Sequence, residues 1–159
     1  MSQKIVLMSS PEYFKVEYSI NPWMVPGTNV DLELAKDQWN GLKRTIEEAG
    51  AEVKVVPPSE NHPDLVFTAN SGIIRGNDVL IANFKFEERR GEEEIYIKWF
   101  KENEYNVSRI PPDYKFEGRG DAFVYGDYLV GSYGVRSDKE ALLYICLLYT
   151  SDAADDMQC

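Results

Sequence analysis

The stretch SGIIRGNDVLIANF, Ser71 to Phe84, holds two apolar runs joined through Gly76-Asn77. A glycine paired with asparagine suits a tight two-residue turn, whose central positions take positive φ, so the stretch predicts a β-hairpin. Gly126-Asp127 lies 50 residues further on and joins the two apolar runs of DAFVYGDYLVGSY, a second hairpin. Between them, RRGEEEIYIKWFKENEY (Arg89 to Tyr105) predicts an amphipathic helix anchored by Ile95, Trp99 and Phe100. YNVSRIPP then predicts a strand closed by Pro111-Pro112. The order is hairpin, helix, strand, and then hairpin again.

The same order is visible upstream. AEVKVV predicts a strand closed by Pro57-Pro58, 54 residues before Pro111-Pro112. Before it, a helix is expected from Asp31, because Leu32, Ala35, Trp39, Leu42 and Ile46 recur at helical steps and Gly50 follows as a stop. KIVLM (Lys4 to Met8) predicts a first buried strand. YFKVEYSINPWM predicts an ordered segment in which Pro22 forbids regular helix. LVFTA (Leu65 to Ala69) predicts a short buried strand, and a third helix is expected to begin near Ser137-Asp138. A period of about 50 residues lies in the range of propeller-like repeat arrays. The expected class is α/β, with about two to two and a half hairpin–helix–strand modules over residues 1–145.

The last residues, CLLYTSDAADDMQC, are a separate matter. Cys146 through Asp156 match, letter for letter, the translation of a short-read library adapter. Residues 146–159 are therefore read as a non-native tail, and the third helix is expected to be cut short there. Both cysteines, Cys146 and Cys159, fall in this tail, so neither is read as a disulfide, metal ligand or nucleophile. The expectation is that 1–145 is the N-terminal part of one longer domain.

Composition narrows the class of function. The net charge is −10, which argues against nucleic acid and anionic membranes as partners. No apolar run reaches the roughly 18 residues of a membrane span, and the start has too short an apolar core for a signal peptide. A cytoplasmic protein is the default expectation. The one histidine, His62, sits in the loop SENHPDL without metal-ligand spacing. No glycine loop of the nucleotide-cradling kind is present, and no cofactor is implied.

Two stretches pose a chemical question. DLVFTAN places Asp64 and Asn70 at the two ends of an apolar run, on one face if the run is a strand. A guanidinium group carries donors all round its rim and no acceptor, so it needs several converging oxygens, at least one of them charged. In the alternative, Asp64 closes a turn after Pro63 and Asn70 ends a strand. FEGRGDAF places Glu117 among glycines that let a ligand approach, with Asp121 available to hold the loop. There the alternative is a polar turn before a hairpin. Arg89 and Arg90 in FEERRGEE, and Arg136 in GSYGVRSD, offer two-pronged grips for a substrate carboxylate, or surface ion pairs with Glu92–Glu94 or Asp138.

Taken together, MSSPEYFKVEYSINPWM, PDLVFTANSGII, FKFEERRGEE and FEGRGDAFVYGDYLVGSYGVRSD resemble the guanidino-group modifying superfamily. That superfamily includes arginine deiminases, dimethylarginine dimethylaminohydrolases, amidinotransferases and arginine dihydrolases. The resemblance covers roughly residues 3–143. It implies a pentein-type, five-bladed propeller of ββαβ modules and covalent catalysis on a guanidinium carbon by a cysteine thiolate, assisted by a histidine and an acidic residue. It implies Glu117 as the catalytic acidic residue and Asp64 as the carboxylate gripping the guanidinium. Asn70, with Asn21, follows the dihydrolase branch, and Arg89, or less directly Arg136, is the implied ligand of the substrate α-carboxylate. The expected partner is arginine or a related guanidino compound, hydrolysed to ornithine and ammonia. The alternatives are a dimethylargininase, an amidinotransferase, or a non-catalytic arginine-binding module. The family's later histidine motif and C-terminal cysteine have no counterpart here, so no turnover is expected from this polypeptide.

Overall fold

The protein is described by a computed structural model covering residues 4–126 and 128–150. The chain divides into two compact units, Met1–Thr68 and Ala69–Cys159.

In the first unit, β1 (Ile5–Ser9) and β2 (Glu52–Val56) pair in parallel, with Ile5 opposite Glu52 and Ser9 opposite Val56. Parallel neighbours require a crossover, and α1 (Leu32–Glu48) supplies it. Asp31 caps α1 by accepting the Leu34 N–H at 3.0 Å, and Gly50 just beyond the helix takes φ +88°. The expected apolar stripe is present but shallow. Leu32, Ala35, Trp39 and Ile46 are half-buried, and Leu42 is exposed.

The expected strand over Leu65 to Ala69 does not form. Pro63–Val66 and Thr68–Ser71 are two successive 3-10 turns. Pro63 fixes the φ of the first turn, and the Asp64 carbonyl accepts the Phe67 N–H at 3.0 Å, an i to i+3 bond that coils the backbone. Thr68 Oγ1 donates to the Leu7 carbonyl at 2.8 Å. The one-face strand argument for Asp64 and Asn70 falls with the strand.

The second unit holds one full ββαβ module. β3 (Gly72–Arg75) and β4 (Asp78–Ile81) form the antiparallel hairpin, with Gly76 at φ +61° in its turn. β5 (Asn106–Arg109) pairs in parallel with β4, and α2 (Glu87–Glu102) crosses over between them. β6 (Ala122–Tyr125) and β7 (Tyr128–Gly131) then form the second hairpin; Asp127 of its turn lies outside the described residues. α3 (Lys139–Thr150) follows, so the element order restarts. The fold is mixed α/β.

Two details of this unit depart from expectation. On α2 the buried set is Arg89, Glu92, Tyr96, Ile97, Trp99 and Phe100, and Ile95 is only half-buried. The inward face therefore begins with two charged residues. α3 does not stop at 145: it runs on to Thr150, into the segment read as a tail, with Ile145 and Cys146 buried, while Cys159 lies outside the described residues. The core joins Ile73 and Leu80 of the first hairpin to Ile110, Phe116, Ala122, Ala141 and Ile145. Phe116 also exchanges both backbone hydrogen bonds with Asn83, at 2.9 and 3.0 Å, which pins the chain immediately before Glu117.

Candidate functional site

Asn70, Arg89, Glu117 and Arg136 all belong to the second unit, and hydrogen bonds and ion pairs link them. Asn70 follows the first residues of a 3-10 turn and is buried. Its Nδ2 donates to the Glu117 carbonyl at 2.9 Å, and its Oδ1 accepts from Arg89 Nη1 at 3.1 Å. Arg89, in the first turn of α2, is 3% exposed. Its Nε and Nη2 each donate to one Glu92 oxygen at 2.8 Å, a two-pronged grip, and its guanidinium lies 4.5 Å from the Phe84 ring centre. Glu92 is wholly buried, where the sequence reading offered it only as one of the surface ion-pair partners Glu92–Glu94. Its only signal was the three-residue spacing from Arg89, which is equally the spacing of an ordinary surface pair.

Glu117 is different. It is 1% exposed, yet among the described residues neither carboxylate oxygen accepts a hydrogen bond. The nearest charge is Arg136 Nη1, 3.4 Å from Oε2. The main chain of Glu117 is held more firmly, its N–H donating to Ser137 Oγ at 3.0 Å. Ser137 in turn donates to Asp121 Oδ2 at 2.7 Å, and Asp121 Oδ1 pairs closely with Arg136 Nη2. Asp121 thus holds the loop through a hydroxyl and a guanidinium.

The glycines around Glu117 have a different use from the one expected. A Cβ on Gly118 would meet the Asn70 carbonyl carbon and oxygen at 2.8 Å, and one on Gly120 would meet Asn70 Nδ2 at 2.5 Å. It is Asn70, rather than open space, that comes close to them. In the first unit, Asp64 is buried, and Asn21 is half-buried with its Oδ1 accepting the Trp23 N–H at 3.0 Å. His62 stays in its loop, Nδ1 2.9 Å from Ser59 Oγ, and burial pushes its pKa down. Among the described residues, no group of three or more His, Cys, Asp or Glu side chains could hold a metal ion.

Burial pushes the Glu117 carboxyl up from its ordinary pKa; Arg136, Arg89 and Lys85 pull it back, and Asp121 adds to the rise. A carboxyl that holds its proton more tightly when folded costs nothing below its unfolded-state pKa. It opposes folding increasingly as pH rises toward the folded-state value, and fully above it. Glu117→Gln is therefore expected to raise the thermal midpoint at neutral pH, with the gain fading as pH falls from the raised folded-state value toward the ordinary 4.5 and gone below it. Unfolding curves across a pH series check this, and a Gln variant less stable than wild type at neutral pH contradicts it.

A family model described as "N,N dimethylarginine dimethylhydrolase, eukaryotic" matches residues 21–148. The chain belongs to this family. The chain is 44% identical over 153 residues to the uncharacterized protein ZK1307.1 of Caenorhabditis elegans, covering 94% of this chain and 53% of that protein. It is 41% identical over 143 residues to the bifunctional arginine dihydrolase/ornithine cyclodeaminase ArgZ of Synechocystis, covering 88% of this chain and 20% of that one. The crystal structure of the N-terminal domain of ArgZ bound to product, an arginine dihydrolase, superposes with a TM-score of 0.86 at 39% identity, covering 93% of this chain and 55% of that chain. The chain spans about half, or less, of the length of these relatives. No described helix is long and apolar enough to cross a membrane.

Proposed function

We propose that this chain supplies the substrate-gripping half of a hydrolase that cleaves C–N bonds of the arginine guanidinium group, as in an arginine dihydrolase. The observation that carries the reading is the Glu117 carboxylate, buried with neither oxygen accepting a hydrogen bond among the described residues and only a 3.4 Å contact to Arg136. A buried polar group without a partner is costly, and it persists where a ligand will supply one. A planar cation with hydrogen-bond donors is the complement of such a carboxylate. Glu117 is the proposed catalytic acidic residue, and Asn21, Asp64 and Asn70 keep the substrate-binding roles that the family resemblance implies. For the α-carboxylate, Arg136 is supported by its 38% side-chain exposure. Arg89 remains a candidate that must loosen its fork to Glu92 to serve. The ββαβ module, followed by a second hairpin and helix, supports a further proposal, that the fold is part of a pentein-type propeller.

Calorimetry with L-arginine and N,N-dimethylarginine tests this on the chain itself. Arginine is expected to bind, and Glu117→Gln to weaken it by about 1.5–3 kcal/mol, the worth of a hydrogen bond to a charged group. Tighter binding of dimethylarginine would move the assignment to a dimethylargininase. No binding of either, or equal binding by Glu117→Gln, would sink the proposal.

A further inference from the structure

The loose contact of Arg136 with Glu117 has a visible cause. Arg136 faces two carboxylates: its Nη2 pairs closely with Asp121 Oδ1 and also reaches the Gly120 carbonyl at 3.5 Å. Its Nη1 lies 3.4 Å from Glu117 Oε2, too far for a good charge-assisted bond. Asp121 is fixed in turn by Ser137, whose hydroxyl donates to it while accepting the Glu117 N–H. Ser137 is buried, and no water need compete for either bond.

We propose that Asp121 and Ser137 are positioning residues for Glu117: Ser137 pins the main chain at Glu117, and Asp121 holds the Arg136 guanidinium off the Glu117 carboxylate, leaving it open to a cationic ligand. The proposal rests on the reading of Glu117 as a guanidinium-facing acid. Without the Asp121 charge, Arg136 would swing onto Glu117, satisfy it internally and close the site. The charged groups around Glu117 are Arg136, Arg89, Asp121 and Lys85. Of these, Arg89 is tied to Glu92, and Lys85 Nζ donates to the Val135 carbonyl at 2.6 Å, so Arg136 is the one free to move between partners.

The test is a carbon-detected NMR titration of the Glu117 carboxyl, with L-arginine calorimetry, on wild type, Asp121→Asn, Asp121→Glu and Ser137→Ala. In Asp121→Asn the Glu117 midpoint is expected to fall by about one pH unit and arginine affinity about tenfold. Asp121→Glu, which keeps the charge, is expected to restore most of both. In Ser137→Ala the Glu117 amide should lose its protection from hydrogen exchange. If Ser137→Ala does not fold, the two Asp121 variants decide. A Glu117 midpoint unmoved by Asp121→Asn overturns the positioning role, even where wild type binds arginine. A midpoint that falls in a chain that binds no arginine upholds the Asp121 role and overturns the substrate reading instead.

Discussion

Arg89→Ala is expected to destabilise the protein by about 3–5 kcal/mol, among the largest effects of any single substitution here. The reason lies in what it leaves behind. Glu92 is wholly buried, and both of its oxygens are gripped by Arg89 at 2.8 Å. Removing the guanidinium strands a carboxylate in a low-dielectric interior beside the Tyr96 phenol, whose pKa burial already pushes up. It also takes away the donor to Asn70 Oδ1. Denaturant unfolding measures the loss. The double variant Arg89→Met/Glu92→Leu is expected to recover most of the stability, because replacing both partners leaves no orphaned charge. Arg136→Ala, half-exposed, is expected to cost no more than about 1 kcal/mol. If Arg89→Ala costs as little as Arg136→Ala, the Arg89–Glu92 pair does not organise the start of α2, and Arg89 is free to serve as a substrate ligand.

How much of this was legible in the sequence depends on the range of the interaction. The two hairpins, α1 and the strands ending at Pro57 and Pro111 follow from local signals: turn glycines, apolar period, proline stops. They appear at the expected positions. The segment from Asp64 to Asn70 misled because a short apolar run fits a buried strand and a tight coil equally well. What decided it was Pro63, which fixes the first turn, and the Phe67 N–H donating back to the Asp64 carbonyl, which coils the backbone. α3 continuing past Ile145 has the same lesson: Leu147 and Leu148 can prolong a helix whatever the origin of their codons.

The polar network was harder to read than the fold. Glu117, Asn70, Arg89 and Arg136 were named from motif resemblance, and the structure links them within the second unit. The residues that hold them, Glu92 and Ser137, carry no local signature, since a glutamate in an acidic run and a serine before a helix look like solvated surface. Their roles come from burial, which charged and hydroxyl residues do not announce. The glycines of FEGRGD were read as making room for a ligand, when the neighbour that fills the room is Asn70, by its backbone at Gly118 and by its side-chain amide at Gly120.

That neighbour makes Gly118→Ala the second large effect, expected to cost about 3 kcal/mol or more. Two terms add. Gly118 sits at φ +64°, where a β-carbon costs about 1–2 kcal/mol. The new Cβ would also lie 2.8 Å from the Asn70 carbonyl carbon and oxygen and from the Gly72 nitrogen, all backbone atoms that cannot rotate away. The Glu117 segment must therefore move off Asn70, and the bond from Asn70 Nδ2 to the Glu117 carbonyl opens with it. Gly76→Ala separates the terms. Gly76 has nearly the same φ, +61°, with no atom within 4 Å of the added carbon, so it should lose only the strain. Thermal unfolding of the two variants gives the difference, and the Asn70 side-chain amide resonances report whether the contact has opened. Equal losses at the two glycines would mean that Asn70 can yield without cost, and that its fit against the Gly118 turn does not fix the position of Glu117.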